Sequence, residues 1–330
     1  MRLAAAVARQ DILLRWLCAA FALAMATPLA AQLTSQSPIR LIAPFPPGGS
    51  VDIIARLIAE PLARELGTRI VIDNRSGASG NIGMEAAARA KPDGYTVVLN
   101  TIPLVANQSL FDKLTWDPIR DFSPIGMVAT SPHVLVVLTK APANTVAELV
   151  RLARNTPGKL SYSSAGVAST FHLCGEMFKA STNTFILHVP YRGGGPALLD
   201  ALAGQVDMTF PALAAALPHV KSGTLRALAT TGTTRSPLLP AVPTMHEAGV
   251  KDFQFTQWLA LLAPAGTPVA VTGRLNLALK NALDSKEIRD KFQEGAFEAF
   301  VTTPAEAGAF LSQEAQRFSA LIKAQGITAN

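Results

Sequence analysis

Four short stretches carry the residues best suited to hold a ligand: Pro46-Pro47-Gly48-Gly49-Ser50, Gly77-Ala78-Ser79-Gly80-Asn81-Ile82-Gly83, Ser163-Ser164-Ala165-Gly166-Val167-Ala168-Ser169 and Arg192-Gly193-Gly194-Gly195-Pro196. Each lies between a β-rich run and a helical pattern, at the carboxyl end of a strand, where open α/β sheets bind ligands. Glycine lets a ligand approach the backbone closely. The first turn of a helix offers unpaired N–H groups and a partial positive charge, so the combination suits a carboxylate or a phosphate. At any one junction the glycines could simply end a strand, with Ser50 and Ser169 as ordinary N-caps. Their recurrence in both halves of the chain points to a ligand cleft between two halves.

Other chemistries find less support. The Gly77–Gly83 turn is spaced G-x-x-G-x-x-G, not G-x-G-x-x-G, and the following strand ends in Asn100 and Thr101 instead of the acidic residue that would hold a ribose. No dinucleotide or other cofactor is expected. The sequence holds no G-x-S-x-G elbow, no H-E-x-x-H and no Walker loop. Its five histidines, His133, His172, His188, His219 and His246, are scattered without metal-ligand spacing, so no metal site is expected. His172 falls in the first turn of a helix beside a glycine-rich junction, where a bond to the neighbouring backbone is expected ahead of contact with ligand. Cys174, on the same helix, reads as a small buried side chain without an activating partner.

The elements that position these junctions alternate. Strand patterns at Ile39–Ala43, Arg69–Asp73 and Tyr95–Asn100 enclose helical patterns at Val51–Leu66 and Met84–Ala90, an order that reads as a mostly parallel sheet covered by helices on both faces. A second series places strands at Val134–Leu138, Leu160–Ser163, Phe185–Pro190, Val206–Phe210 and Leu225–Thr230, with helices at Val146–Arg154, Thr170–Lys179 and Pro196–Leu202. Phe253–Ala263 is extended and apolar, and two helical patterns follow at Val269–Asp284 and Pro304–Ala324. These tail helices have no sheet of their own nearby. The simplest packing returns them to the first lobe, giving two crossovers, with lobe 1 at 32–131 and 254–330 and lobe 2 at 132–253.

Residues 1–31 read as a secretory signal peptide: Arg2, Arg9 and Arg15 precede an apolar run from Trp16 to Ala26 and then small residues through Ala31. Cleavage ahead of Gln32 is expected, with Ala26 and Ala30 as alternatives. Cys18 lies within the leader without a lipoprotein pattern, which leaves Cys174 as the one mature cysteine and excludes an intrachain disulfide. Stability must then come from a core, which 49% hydrophobic residues can supply. Without the leader, 26 basic face 22 acidic residues, in no basic run and with only 6% aromatics, so nucleic acid is not an expected partner.

The stretches IRLIAPFPPGGSVDIIARLIAEPL, VIDNRSGASGNIGMEAAARAKPDGYTVVLNT, LSYSSAGVASTFHLCGEMF, HVPYRGGGPALLDALAGQVDMTF and LLAPAGTP resemble the Bug receptors, the extracytoplasmic solute-binding proteins of tripartite tricarboxylate transporters. The resemblance runs in order through nearly the whole mature chain. It implies a two-lobed periplasmic binding protein with two interlobe crossovers and a small organic, amino or aromatic acid held between the lobes. Inner-membrane transporter subunits would be its partners, and it would act as a monomer. Carried over position by position, it implies ligand contacts by Phe45, Gly48, Gly49, Ser50 and Asp52 from the first junction. From the second lobe it adds Ser164, Gly166, Ser169, Thr170, Tyr191 and Asp207. Val167 and Ala168 stand where the family commonly has Asn-Gly, Phe171 replaces a usual polar residue, and Ala260 replaces a usual glycine. These departures favour a ligand with apolar surface, such as an aromatic or longer aliphatic acid. The competing expectation is a secreted α/β hydrolase or isomerase using Ser50, Ser164 or His172, which turnover would distinguish.

Overall fold

A computed structural model describes residues 37–328; the expected signal peptide lies outside the described residues. In chain order the first half comprises β1 (Ile39–Ala43), α1 (Ser50–Leu66), β2 (Ile70–Asn74), α2 (Asn81–Ala88), β3 (Thr96–Asn100), α3 (Pro103–Leu110), β4 (Phe122–Pro132), β5 (Val134–Leu138), α4 (Val146–Asn155) and β6 (Ser161–Ser164). Then come α5 (Thr170–Thr182), β7 (Leu187–Pro190), α6 (Gly194–Ala203), β8 (Met208–Thr209), α7 (Leu213–Lys221), β9 (Leu225–Thr230), β10 (Thr256–Pro264), α8 (Val269–Asp284), α9 (Lys286–Glu294), β11 (Glu298–Ala299) and α10 (Pro304–Ala324).

The central strands are apolar on both faces because helices cover both sides. β3 is buried throughout, β1 is buried except at Arg40, and β10 is buried from Gln257 onward. The first sheet runs β11-β4-β10-β3-β1-β2, and the second runs β7-β6-β8-β5-β9. β1 pairs in parallel with β2 and β3, whereas β10 runs antiparallel to β3 and β4, and β11 antiparallel to β4. In the second sheet β6 is parallel to β7 and β8, while β5 is antiparallel to β8 and β9. Both sheets are therefore mixed, which corrects the expectation of a mostly parallel one. The reason lies at the crossovers, where strands that enter and leave a lobe must run in opposite senses.

The chain leaves the first sheet at Pro132 and enters the second at Val134, then returns between Thr230 and Thr256. Thr231 stitches the two crossings together. Its hydroxyl accepts from the His133 N–H at 2.8 Å and donates to the Phe255 carbonyl at 2.5 Å. The tail closes the first sheet: α8 packs on α1 and β4, and α10 on α3 and β4. Pro304 at the first helical position and a reciprocal Thr303–Glu306 capping box fix the start of α10. Gly67, at φ 68°, ends α1 by donating its N–H to the carbonyls of Ala63 and Arg64. Among the described residues no helix is long and apolar enough to cross a membrane, and no cluster of three or more His, Cys, Asp or Glu side chains could hold a metal.

Candidate functional site

The first wall of the site follows from the chain's need to turn from β1 into α1. Gly48 takes φ 89°, a left-handed conformation that glycine alone adopts freely, and Gly49 becomes the N-cap. Asp52, in the first helical turn, is buried and pins this loop from below. Its carboxylate accepts from the Gly48 N–H (3.1 Å), Asn74 Nδ2 (3.0 Å) and Arg56 Nε (3.0 Å), and Asn74 Nδ2 also donates to the Phe45 carbonyl (3.1 Å). Burial by itself would raise the Asp52 carboxyl, but the hydrogen bonds from Arg56, Gly48 and Asn74 together outweigh it and hold the group below the usual carboxylate range. Asp52 thus shapes the loop and does not face the space above α1. Ser50 Oγ donates to Gln257 Oε1 at 3.2 Å, tying the helix start to the fully buried Gln257 on the returning strand.

The second wall is the turn from β6 into α5. Ser169 caps α5 by accepting from the His172 N–H at 3.3 Å. Gly166 sits at φ 111° and Ala168 at φ 65°. Ser164 Oγ receives the Gly166 N–H at 3.1 Å and lies 2.6 Å from His188 Nε2. That Ser–His contact superficially resembles a nucleophile and its base. The hydroxyl, however, is part of the loop's own hydrogen bonding, and Nε2 of His172, the ring stacked on His188, stands 3.9 Å from Glu176.

The two walls meet. A Cβ placed on Gly193 would lie 2.6 Å from the Pro46 ring, and one on Gly195 3.2 Å from the Pro47 carbonyl oxygen. Between them remains a cavity of about 30 Å³. The first lobe lines it with Phe45, Gly49, Ser50, Val51, Thr101 and Pro103. Ala165, Ser169, Thr170, Phe171 and Gly194 come from the second. None of these side chains is titratable. The groups available to an anion are hydroxyls and the first-turn N–H groups of α1 and α5, both of whose positive helix starts line the cavity.

Of the residues singled out in sequence, Phe45, Gly49, Ser50, Ser169 and Thr170 line this cavity, and Gly48 and Gly166 shape its loops. Ser164 stands behind its loop and Asp52 below its own. Tyr191 is placed elsewhere, its hydroxyl bonded to Asp200 on α6. Asp207 is exposed and accepts from the N–H (2.8 Å) and the hydroxyl (3.1 Å) of Ser161, at the opposite end of β6 from the cavity. Thr101 and Pro103 were missed as lining residues. The signal was available, since Thr101 follows a third strand end on the same edge as the β1 junction. The Thr101 hydroxyl is buried without a protein partner. Phe171 supplies the apolar wall that its departure from the family pattern implied, its ring packed edge-on against His133 at 5.6 Å. Arg192 is exposed, and Arg75 is paired with Asp73 at 2.7 Å, so neither enters the cavity.

A larger space of about 530 Å³ lies on the other flank of the hinge strands, between residues 232–238 and 289–299. It is lined by Arg235, Arg289 and the start of α7 at Leu213, and it lies apart from the glycine-rich junctions.

Two mixed α/β lobes joined by two crossovers, with helix starts from both lining an uncharged cavity, define a two-lobed solute-binding receptor. Residues 54–327 match the tripartite tricarboxylate transporter family receptor model, and the chain belongs to this family, as a receptor of the Bug type. It is 36% identical over 304 residues to protein BugT of Bordetella pertussis, covering 92% of this chain and 93% of that one. Among solved structures it resembles an R. palustris protein with adipate (36% identity, TM-score 0.86, 88% of this chain and 98% of that one). It also resembles MatC from Rhodopseudomonas palustris with bound malate (29% identity, TM-score 0.83, 88% and 100%). Family members are periplasmic binding proteins, and the chain is a solute-binding receptor, which removes the hydrolase or isomerase alternative.

Proposed function

We propose that this receptor captures a small carboxylate-bearing solute with substantial apolar surface, a longer aliphatic or aromatic acid, and presents the closed form to inner-membrane transporter subunits. The observation that carries the reading is the cavity itself, where two helix starts from opposite lobes face a space with no charged side chain and with Phe45, Val51, Pro103 and Phe171 in its walls. A carboxylate at one helix start gains up to about 2 kcal/mol, whereas micromolar binding requires about 8.2 kcal/mol. Both lobes and the apolar wall must contribute, so closure is the working step. At about 30 Å³ the cavity has room for about two water molecules. A solute of adipate's size therefore enters only when the lobes part or Phe171 swings outward. The adipate held by a relative at 36% identity supports a longer aliphatic acid.

The same reading has the leader through Ala31 removed on export, the mature protein monomeric in the periplasm, and lobes divided at 131/132 and 253/254. Native mass spectrometry of protein purified from periplasm tests it, because a retained solute is weighed directly. Calorimetry with adipate, malate and benzoate then ranks the classes. Malate binding more tightly than both others would refute the apolar preference, and failure of all three would refute the carboxylate class as drawn here.

A further inference from the structure

The loop 164–169 is held from behind by two histidines. Ala168, at φ 65°, donates its N–H to Nδ1 of His172 at 3.2 Å. Ser164 Oγ, which accepts the Gly166 N–H, stands 2.6 Å from Nε2 of His188. The two rings stack with centroids 4.2 Å apart and planes 29° from parallel. His172 must present a lone pair at Nδ1 to hold Ala168. The Ser164 hydroxyl, already accepting from the Gly166 N–H, has two acceptors within reach, the Gly166 carbonyl at 3.1 Å and Nε2 of His188 at 2.6 Å, and it directs its proton to the nearer, His188. Both imidazoles are then neutral, with His172 protonated at Nε2 and His188 at Nδ1. A proton on His172 removes the acceptor that holds Ala168, a proton on His188 turns the Ser164 hydroxyl to the Gly166 carbonyl, and either sets a cation against its stacked neighbour.

The surroundings favour the neutral pair. The groups facing it are Glu176 and Lys179 on α5 and Tyr162 on β6. Tyr162 stacks on His188 at 4.9 Å and donates its hydroxyl to Glu176 at 2.5 Å, while Lys179 Nζ lies 2.8 Å from both oxygens of that carboxylate. Glu176, 3.9 Å from His172 Nε2, favours the charged ring, but Tyr162 and Lys179 share its charge and the desolvation of the buried ring outweighs it. Burial dominates and pushes His172 down from 6.5 to about 4. Burial first, then the neighbouring His172, also pushes His188 down.

We propose that the His172–His188 pair is an acid-sensitive latch on the 164–169 loop, two positioning residues whose neutral rings hold the loop in its binding shape and whose protonation releases it. The assignment rests on reading this loop as part of the solute site. Above pH 6.5 the latched and released states are both neutral and the latch holds fully. As pH falls from 6.5 towards about 4, the released imidazole takes up a proton that the latched one refuses, so release is favoured progressively. For a single site the released state gains about tenfold at pH 5.5.

The test is amide hydrogen exchange of the mature protein without added solute, at pH 7.5 and 5.5, corrected for intrinsic rates, with β1 amides as the control for global folding. Protection at Gly166 and Ala168 should fall about tenfold or more between the two pH values while β1 is unchanged. His172→Leu should leave Ala168 unprotected at both. The double variant H172N/H188Q places non-titrating amide oxygens where the two ring acceptors stood, and should keep protection at pH 7.5 without the loss at 5.5. Equal wild-type protection at the two pH values overturns the latch whether or not the variants fold. So does an acid loss that survives in the double variant, or an Ala168 amide still protected in His172→Leu. Adipate titration is run separately. Its failure would count against the solute class alone, since exchange reports the latch without any solute.

Discussion

Gly193→Ala tests closure directly, because the residue meets the opposite lobe. The added Cβ would lie 2.6 Å from Pro46 Cγ and 2.7 Å from Cδ, in a ring that cannot rotate away, and Gly193 has φ 139°. Two penalties arise, and they act on different equilibria. The backbone penalty of about 1–3 kcal/mol applies to open and closed forms alike and lowers stability without changing affinity. The overlap with Pro46 exists only when the lobes meet, and forcing such a contact costs about 1–3 kcal/mol. That second term opposes closure, so the dissociation constant should rise about 5- to 150-fold. Calorimetry with the solute retained in native mass spectrometry measures it, and small-angle scattering should show less compaction on saturation. Gly67→Ala is the control, since its φ is 68° but its Cβ would meet nothing within 4 Å. It should melt earlier with affinity intact. An unchanged dissociation constant in Gly193→Ala, with the control behaving as described, would refute closure through the Pro46–Gly193 contact.

Gly166→Val should weaken binding by more than about 2 kcal/mol, because bulk there blocks a carboxylate's approach to the loop N–H groups and even a Cβ lies 3.9 Å from Ser79 Oγ of the first lobe, whereas the strain at φ 111° and the 3.1 Å approach to the Tyr191 carbonyl oxygen lower stability alone; Arg192→Ala should cost less, and the reverse order in calorimetry would make a side-chain ion pair the anchor. Gly49 differs from Gly166, because φ −86° and open space around its Cβ leave Gly49→Ala without strain, so thermal melting should show little change. Asp52→Asn should destabilise the fold by about 1–3 kcal/mol in denaturant unfolding, because the buried charged acceptor is lost. In the wild type, that stabilisation is present above the ordinary carboxyl value of 3.8 and fades as pH falls through the lower native value, a slope that Asp52→Asn should lack. Cys174 is fully buried and burial pushes its thiol well up, so a thiol reagent should label mature protein only after unfolding; rapid native labelling would contradict the packing.

Local chemistry determined much of this protein in advance. Ile39–Ala43, Val134–Leu138, Leu225–Thr230, Val269–Asp284 and Pro304–Ala324 occupy the spans that periodicity, caps and prolines dictated. The glycine-rich junctions likewise marked where helix starts would be exposed. The 11-residue β4 was not legible, because Pro124, Gly126 and the polar Thr130-Ser131 interrupt its pattern; tertiary pairing with β10 imposes it, with register shifts at two places. α6 begins at Gly194, ahead of the expected Pro196, because a helix start can absorb glycine once Gly193 supplies the turn. Residue type alone could not place Asp207, Tyr191 or Asp52 relative to the cavity, since an acid or a phenol beside a ligand loop can face ligand, solvent or its own backbone. Only the register of β6 puts Asp207 at the far end of the strand. Only the packing of α5 against β6 and β7 brings His172 and His188 face to face, 16 residues apart in the chain and 4.2 Å apart between ring centroids. Hydrophobic periodicity and turn chemistry act over a few residues, so they are written in the sequence. Which polar side chains share a space depends on strand register and lobe contact, which the tertiary fold decides.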